Sequence, residues 1–285
     1  MKIGVVVLTM GTRPEELRLG LHSVLDQQGV EVDVVCVGNG WQPVDLPPGV
    51  RALALPENVG IPAGRNAGVP QVAGDLVFFL DDDARIRDPG TLAELAGRFV
   101  EHPRLGLVQP RVVDPHGRPA PGRWVPRLRA GDHGRPGPAT SLWEGAVMVR
   151  RSVLEEVGGW PEPFFYAHEG IELCWRTWDT GHVAWYAGDV EVLHPVIDPR
   201  RHAEFWRLNA RNRVWLARRN LPWLLRPVYA GTWAVLTLLR SRDTASWRAW
   251  RGGFVEGWRT DPGERRVMRW STVVALTRAG RPPVI

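Results

Sequence analysis

The feature that most constrains the fold is a series of short apolar runs in the first 85 residues, each followed by a helical or glycine-rich segment. The runs cover residues 3–8, 30–40, 51–55 and 76–80 and are rich in valine and leucine. After the first run, leucine and valine recur at the spacing of a helix that begins near Pro14. Strands that alternate with helices through short connections predict an α/β fold, with a mostly parallel sheet covered on both faces.

Polar residues follow three of these runs, at the points where the strands end. They occupy residues 9–13, 38–40 and 81–83. Because ligands of parallel sheets bind beyond the carboxyl ends of the strands, we expect these three segments to share one rim. No GxGxxG follows the first run, and neither GxxxxGKS nor GxxxxGKT occurs, which argues against dinucleotide and P-loop sites.

The third of these segments consists of three adjacent aspartates, Asp81, Asp82 and Asp83, directly after the apolar run LVFFL. Carboxylates this close repel one another, and each raises its neighbours' pKa unless positive charge lies among them. One interpretation is a solvated turn, and the other is a binding site, which the shared rim favours. In an extended segment Asp81 and Asp83 would point to one side and Asp82 to the other.

The composition is that of an ordinary folded protein, with 44% hydrophobic and 24% charged residues. A length of 285 residues allows one large domain or a core domain with an appendage. Cys36 and Cys174 stand in unrelated apolar segments and are predicted to be core residues. Residues 114–141, rich in proline, glycine and arginine, predict a long mobile loop. The first ten residues do not resemble a signal peptide, so we expect a cytoplasmic protein.

The chain changes in composition near residue 200, so we predict a domain over residues 1–200 and a helical extension over 201–285. The extension is rich in tryptophan and arginine, and its most apolar part, residues 227–239, is too short to span a bilayer. Two interpretations stay open: helices packed on the main domain, or a helix lying on the inner face of the cell membrane. Arginines from Arg200 to Arg251 favour contact with anionic lipid, and we expect no nucleic-acid partner.

Five segments of the chain form a recognisable series. They read VVVLTMGTRPEELRLGLHSVLDQ, ENVGIPAGRNAG, FFLDDDA, GAVMVRRSVLEEVGGWPEPFF and AHEGIELCWR. In this order and spacing they resemble the family 2 glycosyltransferases of the GT-A fold, especially bacterial rhamnosyltransferases, over about residues 3–220. The resemblance implies a Rossmann-like sheet flanked by helices and transfer of a sugar from a nucleotide-diphosphate sugar.

The resemblance gives the acidic segment a role in holding a divalent cation, Mn²⁺ or Mg²⁺, which neutralises the charge that develops on the leaving diphosphate. It implies Asp83 as a metal ligand and Asp81 as a ligand of the metal or the ribose. Asp82 then binds substrate or supports the site. His194, in EVLHP, stands where related enzymes have a histidine that completes the metal site, with a structural histidine as the alternative.

The resemblance also implies a donor site and an acceptor site. The residues that would line the nucleotide and diphosphate are Thr9, Gly11, Arg13, Asn39, Asn58, Gly60, Arg65 and Asn66. Asn39 would contact the base, but Gly38 replaces the aspartate that usually reads uracil or thymine, so the base is left open. Trp143 and Glu144 would meet the acceptor. Core packing is the alternative for Trp143, and a surface position is the alternative for Arg65.

The family usually places its catalytic base second in a Glu-Asp pair, whereas this chain has Gly170 at that position. An inverting transfer needs a carboxylate that takes the proton of the acceptor hydroxyl. If a helix starts here, Glu169 and Glu172 lie on neighbouring parts of one face. Arg176, four residues after Glu172, favours a structural ion pair there. Glu169 is therefore the first candidate for the base and Glu172 the second.

The leading hypothesis is an inverting, metal-dependent glycosyltransferase that acts on a glycan, lipid-linked or small-molecule natural-product acceptor. A sugar-phosphate nucleotidyltransferase would use a related sheet, but residues 9–16 contain no lysine to bind a triphosphate. A nucleotide-sugar-binding or nucleic-acid-binding scaffold without catalysis is a third hypothesis. It is supported by Gly38 and Gly170, which stand where the resemblance leads us to expect acids.

Overall fold

The computed structural model describes residues 1–197, 203–240 and 243–285. Within these ranges the strands are β1 Lys2–Thr9, β2 Glu31–Asn39, β3 Val50–Leu55, β4 Leu76–Asp81, β5 Arg85–Ile86, β6 Leu105–Val113, β7 Gly137–Pro138, β8 Ala146–Arg150 and β9 Val183–Leu193. They form one sheet in the order β3-β2-β1-β4-β8-β6-β9-β5, with β7 paired to β9. Strands β1 to β4 run parallel, and β8 enters antiparallel between β4 and β6. The predicted mostly parallel sheet is confirmed.

Helices cover both faces of this sheet. They are α1 Pro14–Leu25, α2 Ile61–Gly68, α3 Thr91–Glu101, α4 Arg151–Glu156, α5 Glu169–Asp179, α6 Ala203–Asn220, α7 Leu225–Arg240, α8 Thr244–Arg259 and α9 Trp270–Arg278. Val5 and Phe78 point into a core shared with α1 and α3, while Val6 and Phe79 point into a core shared with α4 and α5. Because successive side chains of a strand point to opposite faces, a strand buried on both sides is apolar throughout. This explains the unbroken LVFFL.

The carboxyl ends of β1, β2 and β4 meet at one edge because these strands are parallel. Thr9 pairs with Gly38, and Leu8 pairs with Asp81, in the registers of the two ladders. Strand β8 runs in the opposite direction, so the residues that precede it, from Trp143 onward, reach this same edge. The expected rim of strand ends is therefore present.

The segment 114–141 differs from the mobile loop expected from its composition. It contains a short 3-10 turn and strand β7, and its Trp124 and Ala139 are buried. Gln109 Nε2 donates to the Trp124 carbonyl at 2.8 Å, and Trp178 Nε1 donates to the Ala139 carbonyl at 2.8 Å. Proline and glycine here shape an anchored segment. Both cysteines are buried and free, as predicted.

Helices α6 to α9 form the helical extension that the sequence predicts. Four of its side chains, Trp215, Leu216, Tyr229 and Met268, form a third core with Trp175 of α5. The interpretation that these helices pack on the main domain is confirmed for this face. The domain boundary predicted at residue 200, and Arg200 itself, lie outside the described residues.

Helix α7 also leaves an apolar face exposed, which we call the α7 stripe. The stripe consists of Leu224, Val228, Val235, Leu238 and Leu239. Leu224 lies just before α7, and the spacings of four, seven, three and one residues between these side chains keep them on one side of the helix. Trp223, immediately before the stripe, is 72% exposed. Across the three described ranges, no helix combines the length and the apolar character needed to cross a membrane.

Candidate active site

The acidic segment turns sharply at the end of β4. The strand ends at Asp81, whose carbonyl accepts a backbone hydrogen bond at 3.0 Å from the N–H of residue 84. The extended conformation expected for the three aspartates is therefore wrong beyond Asp81. The turn brings Asp82 toward β1, where Thr9 Oγ1 donates to its Oδ2 at 2.7 Å. Asp82 thus ties the acidic turn to the end of β1.

Positive charge does lie among the carboxylates. Arg13 forms ion pairs with Asp82, at 3.1 Å, and with Asp83. Burial raises the pKa of Asp82 to about 6, although the Thr9 hydrogen bond and the Arg13 charge oppose the rise. Burial acts on Asp83 in the same direction, but the hydrogen bond and charge of His194 and the charge of Arg13 together lower the pKa of that carboxyl. Asp83 is therefore ionised at neutral pH and able to bind a cation.

Asp81, Asp83 and His194 form a candidate metal site. One ligand atom from each lies within 4.8 Å of the others. His194 follows β9, and its Nε2 lies 3.0 Å from Asp83 Oδ1, while its buried Nδ1 has no hydrogen-bond partner among the described residues. Carboxylate oxygens suit Mg²⁺ and Mn²⁺, and imidazole is a further common ligand of divalent ions. The residues present fit a divalent cation.

Arg65 connects the acidic turn to the residues before β8. Its side chain is buried, with Nη2 donating to Asp81 Oδ1 at 2.8 Å and to the Glu144 carbonyl at 2.9 Å. The guanidinium lies over the Trp160 ring, 4.6 Å from its centroid. Its buried Nη1 lacks a hydrogen-bond partner within residues 1–197 and the other described ranges. A surface position for this arginine is therefore wrong.

The asparagines assigned to the donor site hold loops together. Asn39 is buried; its Oδ1 accepts from the Val59 N–H at 2.9 Å, and its Nδ2 donates to Asn58 Oδ1 at 2.9 Å and to the Gly60 carbonyl at 3.2 Å. Asn66 binds the backbone of Trp160 at both ends of its amide. Both ends of each amide are thus in use, and contact of Asn39 with a base stays a prediction.

Trp41 packs against the ends of β1 and β2. A Cβ on Gly11 would overlap its indole ring, and a Cβ on Gly38 would overlap its carbonyl oxygen and the Pro43 ring. Gly11 also has a φ of +71°, in the left-handed region that glycine adopts without strain. The loop after β2 therefore closes over Gly38 and leaves no space there for the aspartate that the resemblance implies.

Trp143 lies between the acidic turn and the protein interior. Its half-buried ring packs against His194, with ring centroids 4.9 Å apart, and against Trp124 at 5.6 Å. Its backbone N–H donates to Gln109 Oε1 at 2.8 Å. Packing and proximity to the site are thus both present, and acceptor contact by Trp143 stays a prediction.

Two carboxylates meet where α5 begins. The Gly170 N–H donates to Glu144 Oε1 at 2.9 Å, and Glu169 lies beside this pair with its Oε2 unpartnered among the described residues. Glu169 is only 2% exposed. Burial, together with the nearby Glu144 charge, raises the pKa of Glu169 to about 8. Burial also raises the pKa of Glu144, although that side chain is partly exposed.

Glu172 points away from this pair into the interior. It is fully buried and lies 2.6 Å from Arg176 and 2.8 Å from Arg219 of α6. Asn220 Nδ2 donates to its second oxygen at 2.7 Å. The ion pair predicted with Arg176 is confirmed, and these contacts use both carboxylate oxygens in holding α5 to α6.

The structure thus brings most of the predicted site residues to one edge of the sheet. Those gathered there are Thr9, Gly11, Arg13, Arg65, Asp81, Asp82, Asp83, Trp143, Glu144, Glu169 and His194. Sequence reasoning missed Trp41 and Trp160, which stand after a turn glycine and after a Gly-Gly pair. It also missed the contact of Glu144 with Gly170, for which the glycine at the helix start was the available signal.

Comparison with known proteins gives this geometry a context. The family model described as glycosyl transferase family 2 matches residues 5–158, more than half of the chain. The pre-mycofactocin glycosyltransferase of Mycobacterium tuberculosis is 30% identical over 165 residues, which are 55% of this chain and 34% of that protein. The N-acetylglucosaminyl-diphospho-decaprenol L-rhamnosyltransferase of the same organism is 29% identical over 181 residues, 52% of this chain and 59% of that protein. The chain therefore spans about a third and about three fifths of the lengths of these two relatives.

A solved structure confirms the fold. GalNAc-T7 with UDP, GalNAc and Mn²⁺ superposes with a TM-score of 0.63 at 14% sequence identity, covering 100% of this chain and 58% of that one. The expected GT-A architecture is thus observed in both sheet order and structural likeness. Because the family model covers both the first strand and the acidic turn, the chain belongs to glycosyl transferase family 2.

Proposed function

We propose that this protein is an inverting glycosyltransferase that moves a sugar from a nucleotide-diphosphate sugar to a glycan, lipid-linked or small-molecule acceptor. The observation that carries the proposal is the convergence of Asp81, Asp83 and His194 at the carboxyl edge of a family 2 sheet. GalNAc-T7, which shares the fold, has UDP and Mn²⁺ in its structure. The relatives named above are glycosyltransferases by name.

The donor is proposed to lie along the ends of β1, β2 and β4. A divalent cation, Mn²⁺ or Mg²⁺, held by Asp81, Asp83 and His194, would neutralise the diphosphate as it leaves. Arg65, with a buried donor still free among the described residues, would bind a diphosphate oxygen. Thr9 and Gly11, at the end of β1, would line the nucleotide.

The catalytic base is proposed to belong to the carboxylate pair of Glu144 and Glu169 at the start of α5. An inverting transfer needs one carboxylate on the acceptor side of the anomeric carbon, opposite the diphosphate. Glu172 contributes both oxygens to the contacts with Arg176, Arg219 and Asn220, which favours a structural role.

Contact with the inner face of the cell membrane is proposed through the α7 stripe. Residues 205–242 contain eight arginines and no acidic residue, and three of these arginines, Arg207, Arg211 and Arg219, form ion pairs with acids outside this segment. At the start of the stripe Arg226 is close to Arg218 and Arg265, whose charges add to burial in lowering the pKa of Arg226. An apolar face bordered by arginines is typical of helices that lie on anionic bilayers. This placement suits a lipid-linked acceptor, with residues 1–200 as the transferase domain and 201–285 as the extension.

Hydrolysis of a panel of UDP-, dTDP- and GDP-sugars with Mn²⁺ tests the proposal without knowledge of the acceptor. We expect turnover of at least one donor, loss of turnover with chelator, and loss in Asp83→Asn by at least about a hundredfold. Asp75→Asn, at the exposed opposite end of β4, is the matched control and should retain activity. Donor binding without turnover would instead support a binding scaffold, and full activity of Asp83→Asn in chelator would exclude the metal site.

A further inference from the structure

The acceptor side of the site contains carboxylates that differ in access. Glu172 is fully buried and Glu169 is 2% exposed, whereas Glu144 is partly exposed. A base has to come within hydrogen-bond reach of the hydroxyl that it deprotonates. Among these three groups, Glu144 is the one whose side chain is partly open to a bound acceptor.

Glu144 reaches the start of α5 because Gly170 has no side chain. A Cβ built on Gly170 would lie 2.5 Å from both Cγ and Oε1 of Glu144. The carboxylate of Glu144 therefore occupies the volume that a side chain at position 170 would fill. The Gly170 N–H donates to Oε1 at 2.9 Å, so one oxygen is fixed against the helix N-terminus.

The same residue is connected to the proposed donor site through its backbone. Arg65 Nη2 donates both to the Glu144 carbonyl and to Asp81 Oδ1. The Asp81 N–H donates to the Gly145 carbonyl at 2.9 Å. Glu144 is thus held in register with the end of β4, while its side chain points toward α5. The Glu144 carboxylate thus belongs to a different group of contacts from the carboxylates of the candidate metal site.

The buried neighbour Glu169 supports this division of roles. With its pKa raised to about 8, it holds a proton at neutral pH and places no second negative charge beside Glu144. Burial raises the pKa of Glu144 as well, but the Arg65 charge and the Gly170 N–H oppose that rise. Two acids at one helix start thus have different surroundings: one is closed and neutral, the other is open and hydrogen-bonded.

We propose, on the basis of the proposed function, that Glu144 is the catalytic base and that Glu169 is a positioning residue. In the step, a Glu144 oxygen takes the proton of the acceptor hydroxyl while the hydroxyl oxygen bonds to the anomeric carbon. The bond from that carbon to the diphosphate oxygen breaks, and the nucleoside diphosphate leaves with the electron pair. When water is the acceptor, the same proton transfer gives donor hydrolysis.

Donor hydrolysis by four variants tests this assignment, with the nucleotide sugar that turns over fastest in the wild type. Glu144→Gln is expected to lower kcat by about 10²–10⁴-fold while donor affinity, measured by titration with Mn²⁺ present, stays within about threefold. Glu169→Gln is expected to keep kcat within about tenfold and to shift the basic limb of the pH profile. The double variant Glu144→Ala/Gly170→Asp places a carboxylate in the volume vacated by Glu144. Its kcat should be at least about tenfold higher than that of Glu144→Ala.

The outcomes separate this inference from the proposed function. If the wild type turns over no donor, the proposed function fails and the inference fails with it. The proposed function stands if the wild type and Asp75→Asn hydrolyse donor and Asp83→Asn does not. If, in that case, Glu144→Gln has a near-normal kcat, the assignment of Glu144 as the base is overturned. Loss of kcat in Glu169→Gln alone would also overturn this assignment. A Glu144→Gln protein that binds donor normally but does not hydrolyse the donor supports Glu144 as the base.

Discussion

Replacement of Glu169 by glutamine should make the protein more stable than the wild type, by an amount that grows with pH. The group is 2% exposed, and burial raises its pKa from 4.5 to about 8. In the folded protein the carboxyl thus holds its proton more tightly than in the unfolded chain. Below pH 4.5 the carboxyl is neutral in both the folded and the unfolded state and does not reduce stability. As pH rises from 4.5 through 8, the unfolded chain releases this proton more readily than the folded protein, so the wild type loses stability.

The magnitude follows from the size of this pKa change. A shift from 4.5 to about 8 corresponds at most to about 5 kcal/mol of stability lost by the wild type above pH 8. Glutamine does not ionise, so the variant avoids this loss. We expect the two proteins to differ little near pH 5 and by several kcal/mol near pH 9.

Urea unfolding followed by tryptophan fluorescence at pH 5, 7 and 9 measures the difference. Glu172→Gln is the control, because this carboxylate is ion-paired with Arg176 and Arg219. Removing one partner of a buried ion pair typically costs about 3–5 kcal/mol, so Glu172→Gln should be less stable than the wild type, the opposite of Glu169→Gln. A difference between Glu169→Gln and wild type that stays constant from pH 5 to 9 would refute the reasoning.

Three further outcomes are expected. The protein should sediment with phosphatidylglycerol vesicles at low salt, and less of it should sediment as salt rises. Val228→Glu/Val235→Glu should reduce vesicle binding severalfold and leave donor hydrolysis unchanged. No sedimentation at low salt would exclude the α7 stripe as a membrane contact. Gly38→Asp should lower the free energy of unfolding in urea by about 1–3 kcal/mol, because the new Cβ would overlap the Trp41 carbonyl. A variant as stable as the wild type would show that the loop has room for this side chain. Arg65→Lys should lower kcat/KM for donor about tenfold or more, since an ammonium does not reproduce the guanidinium fork, and unchanged kinetics would remove Arg65 from the donor site.

The sheet could be predicted because its signal is local. Runs such as LVFFL are apolar at every position, and only a strand buried on both faces requires this pattern at such a length. Parallel direction then places the residues after β1, β2 and β4 at one edge, whatever the details of the loops. Asp83 and His194 meet there although they are 111 positions apart in the sequence.

The uses of individual side chains at that edge could not be predicted, because they depend on contacts between distant segments. Asn39 carries the same amide whether it faces a base or, as here, Asn58 and the backbone of neighbouring residues. The direction of Asp82 is set by a turn, which the alternation rule for strands does not describe. Glu144 and Gly170 are 26 positions apart, and only the folded chain shows that one fills the space left by the other.

The ion pairs of Glu172 limit how this chain can be divided and recombined. Glu169 and Glu172 belong to one helix, but the counter-charge of Glu172 comes from Arg219, in the extension. A chain ended before α6 would keep a buried anion without that partner and would lose the amide of Asn220 as well. The extension is therefore not an exchangeable module. A C-terminal segment taken from another protein would have to supply a cation opposite Glu172, or position 172 would have to be changed with it.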